Sequence, residues 1–469
     1  MTDKIEFDFY SDIHNEVERM SLRSQLAITV GKASRWFLTN FTKGGSSLPG
    51  KLALNLDPQI LATLSENYQV VVITGTNGKT LTTALTVEAL KEAYPYVLTN
   101  PSGSNMRQGI VSTFLDAPKI PKGEKGIAVL EVDEGSLKHV VEALAPDYFV
   151  FTNVFRDQLD RFGEIHTIYQ LMTDAARKVP TAKIIANGDL PMFHSVDLPN
   201  EEVYFGFNHE EASEVVPHYN TDSLLCPKCD HVLAYHLLTY ANLGHFYCPE
   251  CGFERPTLSY QIDQIQEETI THSDFTIDGH AFHLPVAGKY NLYNALAAYS
   301  VAKELGLNVE QIRSGFEKAQ RVFGRQESFE INGKKVLLNL VKNPVGLDQV
   351  LSLIGLDSEP FTLVAILNNQ YADGTDVSWI WDGNFEQIKN FPVKAAITAG
   401  SKAEEMTKRL TVAGLPAEQI KQVDDLSDVI ETIKQSETEH VHILATYTAM
   451  LQLREALTKS GYLKAIKEG

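Results

Sequence analysis

Thr74-Gly75-Thr76-Asn77-Gly78-Lys79-Thr80 stands directly after the apolar run Val70-Val71-Val72-Ile73, and no other segment constrains the fold as tightly. An apolar strand that opens into a glycine loop, then Lys-Thr, then a helical stretch from Leu81 to Ala93, is the layout of a phosphate cradle. Backbone N–H groups and the helix N-terminus face the anion, Lys79 reaches the outer phosphates and Thr80 holds Mg²⁺. The strict pattern G-x-x-x-x-G-K-[ST] fails at one place, because Ile73 occupies the first glycine position. A glycine turn that merely precedes a lysine is the competing reading; strand, loop, Lys-Thr and helix in the right order argue against it.

The chain of 469 residues is too long for one ordinary core, so two or three domains are expected. No run of 18 apolar residues occurs, which predicts no transmembrane segment. Met1 to Met20 is acidic and mixed and does not read as a signal peptide; an extension preceding a helix over 21–40 is expected instead. With 41 basic against 60 acidic residues the formal charge is -19, which argues against bulk attraction to nucleic acid or anionic membrane. A phosphorylated ligand then needs a local basic pocket.

Lys43 to Gly50 reads as a loop by composition. From about Leu52 to Ala186, strand candidates Val70–Ile73, Ile127–Glu131, Tyr148–Thr152 and Lys183–Ala186 alternate with helical patterns. That alternation predicts a parallel, doubly wound α/β sheet with its ligand loops at the strand C-terminal ends. Residues from about 216 to 258 break the rhythm and hold all four cysteines. A second change near Phe323-Gly324-Arg325-Gln326-Glu327 precedes another α/β unit, with strand candidates Val336–Leu340, Thr362–Leu367, Ala395–Thr398 and Val441–Leu444. The resulting division is an N-terminal extension and helix over 1–50, a central phosphate-binding domain over 51–325 and a C-terminal Rossmann-like domain over 326–469.

Cys226-Pro-Lys-Cys229 and Cys248-Pro-Glu-Cys251 are two C-x-x-C knuckles. Together they supply four thiolates for one tetrahedral Zn²⁺, a closed shell that makes the metal structural. Two redox dithiols are the alternative, which lacks a thioredoxin-like setting. His231 and His245 lie nearby, but the cysteines suffice as ligands. The pairing without a secretion signal fits a reducing cytoplasm.

Glu131, at the end of an apolar strand in Leu130-Glu131-Val132-Asp133-Glu134, is a candidate Mg²⁺ ligand, with Glu134 its rival. The polar set Asn153 to Gly163 follows the next strand. Gly288-Lys289-Tyr290-Asn291-Leu292-Tyr293-Asn294 opens a helix whose Asn291 and Asn294 read a base or ribose, or cap the helix.

Together these motifs resemble the Mur ligase family, which includes folylpolyglutamate synthases. The resemblance runs from about 50 to 460. It implies a P-loop ATPase domain with an inserted four-cysteine zinc ribbon and a C-terminal α/β domain. It further implies an ATP site on Thr74, Gly75, Thr76, Asn77, Gly78, Lys79 and Thr80, with Asn105 near the γ-phosphate in Asn100-Pro101-Ser102-Gly103-Ser104-Asn105. Glu131 is implied as the Mg²⁺ glutamate, Gly288–Asn294 as the adenine-side segment, and Arg325, in Gly324-Arg325-Gln326-Glu327, as a hinge residue that meets ATP.

Several positions depart from the family pattern. Gln158 replaces a histidine in Asp157-Gln158-Leu159-Asp160-Arg161, and Tyr290 replaces another. Arg177 and Lys178 compete for the place of a modified lysine. Asn339 to Gly346 replaces the motif that serves incoming amino acids, and the large domain that grips a UDP-sugar reads as missing. With the cysteine insert, these departures resemble an amidating branch of the family. That branch implies ATP-dependent amidation of the α-carboxylate of D-glutamate in lipid II, through an acyl phosphate, at the inner membrane face. It also implies ammonia from a glutaminase partner. Asp376 or Asp373, or Asp348 as a third candidate, orients the imidazole of that partner's Cys–His pair; turn-making Asp-Gly chemistry is the other reading. The alternatives are an amino-acid-adding Mur-type or folylpolyglutamate-type ligase, and a zinc-ribbon ATPase that binds nucleic acid.

Overall fold

The computed structural model describes residues 21–41, 47–100, 104–156, 165–208, 224–318 and 326–463. In chain order its first strands are β1 (Tyr68–Thr74), β2 (Val97–Thr99), β3 (Gly126–Glu131), β4 (Tyr148–Phe151), β5 (Lys183–Asn187) and β6 (Glu202–Phe207). A hairpin follows, β7 (Ala234–Tyr240) and β8 (Leu243–Tyr247), then β9 (Tyr260–Glu268), β10 (Ser273–Ile277) and β11 (His280–Leu284). Among the described residues, nine of these strands form one sheet in the order β11-β10-β9-β6-β5-β4-β1-β3-β2. The apolar runs of β1, β3 and β4 are buried on both faces, as central parallel strands require.

The sheet differs from the all-parallel expectation at one side. β6 pairs with β9 in parallel, but β9, β10 and β11 pair antiparallel. The cause is local: Asp278 and Gly279, both with positive φ (49° and 75°), form a two-residue turn between β10 and β11. Such a turn matches strand twist and closes a hairpin.

Six further strands, β12 (Glu327–Ile331), β13 (Lys334–Leu340), β14 (Phe361–Ile366), β15 (Val393–Ala399), β16 (Ile420–Gln422) and β17 (His440–Ala445), build a second sheet, ordered β12-β13-β17-β14-β15-β16. It is parallel except for the β12–β13 hairpin, which turns at Asn332-Gly333. Alternate residues of β14 enter opposite cores. Val364 and Ile366 pack with Leu453 and Ile433, and Leu363 and Ala365 with Leu347 and Leu410.

The N-terminal helix Leu22–Phe41 packs on the helix Leu48–Leu56, and Ser24 donates to Asp57 at 2.7 Å. Residues 48–50 therefore start a helix rather than end a loop. Pro49 suits a first helical turn, where its missing N–H is not needed. Gly50 serves close approach: a Cβ there would lie 1.9 Å from the Gln108 carbonyl oxygen.

Candidate active site

β1 lies between β3 and β4, so the chain leaves the sheet in opposite directions around it and opens a crevice at its C-terminal end. Register sets Ile73 opposite Glu131 and Thr74 opposite Phe151, which brings the ends of all three strands to one edge. The loop 75–78 crosses that edge into the helix Lys79–Lys91, whose N-terminus has no side-chain cap. Gly75 and Gly78 take φ of 134° and 86°, and added Cβ atoms would strike Thr152 Oγ1 at 2.3 Å and Asn294 Oδ1 at 2.0 Å. Only glycine fits either position.

Asn153 is the main brace of the loop. Its Oδ1 accepts from Asn77 N at 2.9 Å, its Nδ2 donates to Asn77 O at 3.0 Å, and its backbone carbonyl accepts from Thr76 N at 2.9 Å. Thr152 Oγ1 adds a bond to Asn77 O at 2.9 Å, and Phe155 N donates to Thr76 Oγ1 at 3.1 Å. On the other wall Asn100 clamps the backbone of Glu131, accepting from its N–H and donating to its carbonyl, both at 2.9 Å. The Asn105 carbonyl accepts from Asp133 N at 3.1 Å.

Lys79 Nζ donates to the carbonyls of Gly75 and Thr76 and lies 3.3 Å from Glu134 Oε1. Burial raises the Glu134 pKa, and the Lys79 ammonium opposes it, with Lys342, just after β13, pulling the same way. The two glutamates therefore separate in role. Glu134 pairs with the lysine, whereas Glu131 lines a groove with Thr80, Thr99 and Asn100. That groove presents a carboxylate and a hydroxyl suited to a hard cation such as Mg²⁺.

Asn291 and Asn294 are buried behind the loop. Asn291 Nδ2 donates to Ala287 O at 2.7 Å, Asn294 Nδ2 to Asn291 Oδ1 at 3.2 Å, and Thr82 Oγ1 to Asn294 Oδ1 at 3.3 Å. Their amides tie the helix Lys289–Glu304 to Ala287 and to the helix Lys79–Lys91. Arg325 lies outside the described residues, as do 101–103 and the segment with Asp157, Gln158 and Arg161. Its neighbour Gln326 is buried at a φ of 52° and grips Ala287 through both N–H and carbonyl. Asn343, which caps the helix Pro344–Ile354, donates to Asn77 Oδ1 at 3.2 Å and so ties the second sheet to the loop. Arg177 pairs with Asp174 and Lys178 with Glu142, both at the surface.

The three aspartate candidates have different environments. Asp373 is buried and accepts from Thr448 N and Oγ1 and from Gln370 N, which pins its loop to the helix Tyr447–Lys459. Asp348 is half-buried, accepts from Asn384 N at 2.6 Å, and is raised by burial to about 6. Asp376 is exposed, holds Ser378 N at 2.8 Å, and alone presents its carboxylate outward.

The four cysteine sulfurs lie within 4.8 Å of one another, with Cys226–Cys251 at 3.6 Å and Cys229–Cys248 at 3.5 Å. A tetrahedron with Zn–S bonds of about 2.3 Å has edges of about 3.8 Å, so the cluster fits zinc. Neither His231 nor His245 joins it.

Profiles of the Mur ligase middle domain and of the MurT ligase C-terminal region match residues 73–242 and 340–450. A pseudomurein peptide ligase type C from Methanothermus fervidus superposes with a TM-score of 0.65 at 20% identity, covering 86% of this chain and 81% of that one. MurF ligase from Thermotoga maritima in complex with ADP gives a TM-score of 0.61 at 15% identity, covering 87% and 84%. The fold is of the Mur ligase type. The lipid II isoglutaminyl synthase (glutamine-hydrolyzing) subunit MurT of Streptococcus pneumoniae is 49% identical over 93% of this chain and 98% of its own length. Its Staphylococcus aureus counterpart is 34% identical over 94% and 99%. The chain belongs to the MurT family.

Proposed function

We propose that this chain is the ligase subunit of a glutamine-dependent amidating enzyme of peptidoglycan synthesis. It uses ATP to convert the α-carboxylate of D-glutamate in lipid II to the amide of D-isoglutamine, with ammonia from the glutaminase subunit GatD. The observation that carries this reading is the near-full-length 49% identity to a protein of that name. The chemistry of the loop supports it. A carboxylate does not react with ammonia unaided, because its leaving group is poor. Transfer of the γ-phosphoryl group to the carboxylate oxygen gives an acyl phosphate; ammonia then forms the C–N bond, phosphate leaves, and a proton goes to solvent.

The protein contributes positioning and charge neutralisation. Lys79 leaves Glu134 for the outer phosphates, the uncapped helix N-terminus and Asn77 receive the phosphates, and Asn105 lies at their outer end. Thr80 and Glu131 would hold Mg²⁺, which screens phosphate charge when bound. Asn291 and Asn294 position loop and helix, and Arg325 meets ATP from the hinge. The four cysteines hold structural Zn²⁺, within a central unit of about 51–325 that precedes a C-terminal unit of about 326–469. Of the two loop aspartates, Asp376 suits the partner's Cys–His pair better than Asp373, which is committed inside its own fold, and Asp348 is the third candidate. No helix among the described residues is long and apolar enough to cross a membrane. The chain meets its lipid-linked substrate at the inner membrane face.

The test is the complex with glutaminase, glutamine, ATP and lipid II. Lys79→Ala should lower ATP turnover by about a thousandfold or more with the fold unchanged. Wild type should convert the carboxyl to an amide, read by mass spectrometry. Normal amidation by Lys79→Ala would remove the assignment.

A further inference from the structure

The cysteine hairpin has two ends with different neighbours. At one, Cys226, Leu233, Tyr235, Phe246 and Cys248 form a small core of their own. At the other, Leu237, Tyr240 and Leu243 belong to the main core under the central sheet. β7 is therefore a strut that runs from the thiolate cluster to the phosphate loop, and Tyr240 is its last residue.

Several contacts fix that end. The Tyr240 ring lies 6.1 Å from Phe155, which bonds the loop, and 5.7 Å from Tyr293. Thr239 shares a 2.7 Å hydrogen bond with the Tyr293 hydroxyl, which also contacts Asp189 at 2.6 Å. Arg255, just beyond the second knuckle, donates to the same Asp189 at 3.0 Å. Both flanks of the module thus converge on one buried carboxylate.

Tyr240 lines the seam between the two sheets, beside Asn77 and Gly78 of the loop, Tyr290, Asn339 and Lys342. Only 9% of Tyr240 is exposed, yet its hydroxyl has no hydrogen-bond partner among the described residues. Asn339 Nδ2 is buried in the seam and has no partner among the described residues either. Leaving the Asn339 amide unpaired is costly, and a polar ligand in the seam removes that cost; the Tyr240 hydroxyl beside it is available to the same ligand. Burial, with Tyr290 and Asp189 nearby, raises the Tyr240 pKa, so the phenol keeps the proton it would donate. The enclosed end of the seam holds about 70 Å³, space for one edge of a base rather than a whole nucleoside.

We propose that Tyr240 is a nucleoside-contact residue, delivered to the ATP site by the cysteine module. With phosphates on residues 74–80, the nucleoside extends past Gly78 into the seam, and the Tyr240 hydroxyl and Asn339 amide bond its polar edge. The inference rests on the ATP-dependent reading above.

The experiment compares the full chain with Tyr240→Phe, which removes one oxygen and keeps the ring packing. Binding of a non-hydrolysable ATP analogue and of tripolyphosphate is measured by calorimetry, with zinc content and melting temperature of the ligand-free protein. Zinc content should stay equal and melting temperature should not fall, because the lost hydroxyl bonds nothing among the described residues. The ATP analogue should bind about five- to tenfold more weakly, and tripolyphosphate equally well. Equal affinity for the analogue in both proteins overturns the inference, as does parallel loss of both ligands, which marks a structural role. Wild type that binds neither ligand overturns the ATP-dependent reading as well.

Discussion

Replacing Asn153 with alanine should unfasten the phosphate loop without unfolding the protein. The side chain makes two bonds to Asn77, one accepted at 2.9 Å and one donated at 3.0 Å. Each is worth about 1 kcal/mol net, and a stranded N–H adds up to about 1–3 kcal/mol where water is shut out. Asn77 is only half-buried, so water reaches its N–H, and its carbonyl keeps the Thr152 bond. The loss therefore sits near about 2 kcal/mol, or about 30-fold in the fraction of loop held ready. Nucleotide binding must restore that order, so the Kd for a non-hydrolysable ATP analogue should rise by the same factor. Asn153→Asp should be at least as damaging, because it keeps the acceptor but turns a second oxygen toward the Asn77 carbonyl and the phosphates. Calorimetric titration of the folded variants, checked by circular dichroism, reads the effect. An Asn153→Ala protein that binds within about threefold of wild type would refute the idea that this side chain organises the loop.

Gln326→Ala removes the clamp on Ala287 and a 2.9 Å bond to the Tyr290 hydroxyl; stability should fall by about 2–4 kcal/mol in urea titration. Asp357 predicts acid sensitivity: burial works to raise its pKa, but bonds from His442 and His440 outweigh this and lower it from 3.8 to about 2. A depressed carboxylate stabilises the fold above its unfolded pKa and loses that contribution as pH falls from about 4 to about 2, so Asp357→Asn should flatten the melting temperature against pH in that window. Asp376→Asn should impair glutamine-dependent amidation in the complex while amidation with free ammonium persists. Asp373→Asn should instead lower stability by about 2 kcal/mol, through its bonds to Thr448 and Gln370.

The central and C-terminal strand candidates were legible because each is an apolar run bounded by turn residues, a pattern that needs no knowledge of the neighbours. The Asp278-Gly279 hairpin carried an equally local signal in Ser273-Asp-Phe-Thr-Ile-Asp-Gly-His-Ala-Phe-His-Leu284. It disturbs the α/β rhythm only by extending a sheet that the rhythm alone reads as parallel. The clustering of the four cysteines was legible for the same reason, since the local turn sets each pair.

The roles of the aspartates, asparagines and Tyr240 were not open to such reading. Asp373 and Asp376 are three residues apart in one loop, and only the helix at Thr448 makes the first internal and leaves the second exposed. Asn343 meets Asn77 across 266 positions. What the sequence determined alone is the set of elements and the chemistry each can offer, because periodicity and turn geometry act over a few residues. Which groups face the ligand, which brace the loop and which stay unpaired was decided by tertiary packing, because burial and hydrogen-bond partners come from distant segments.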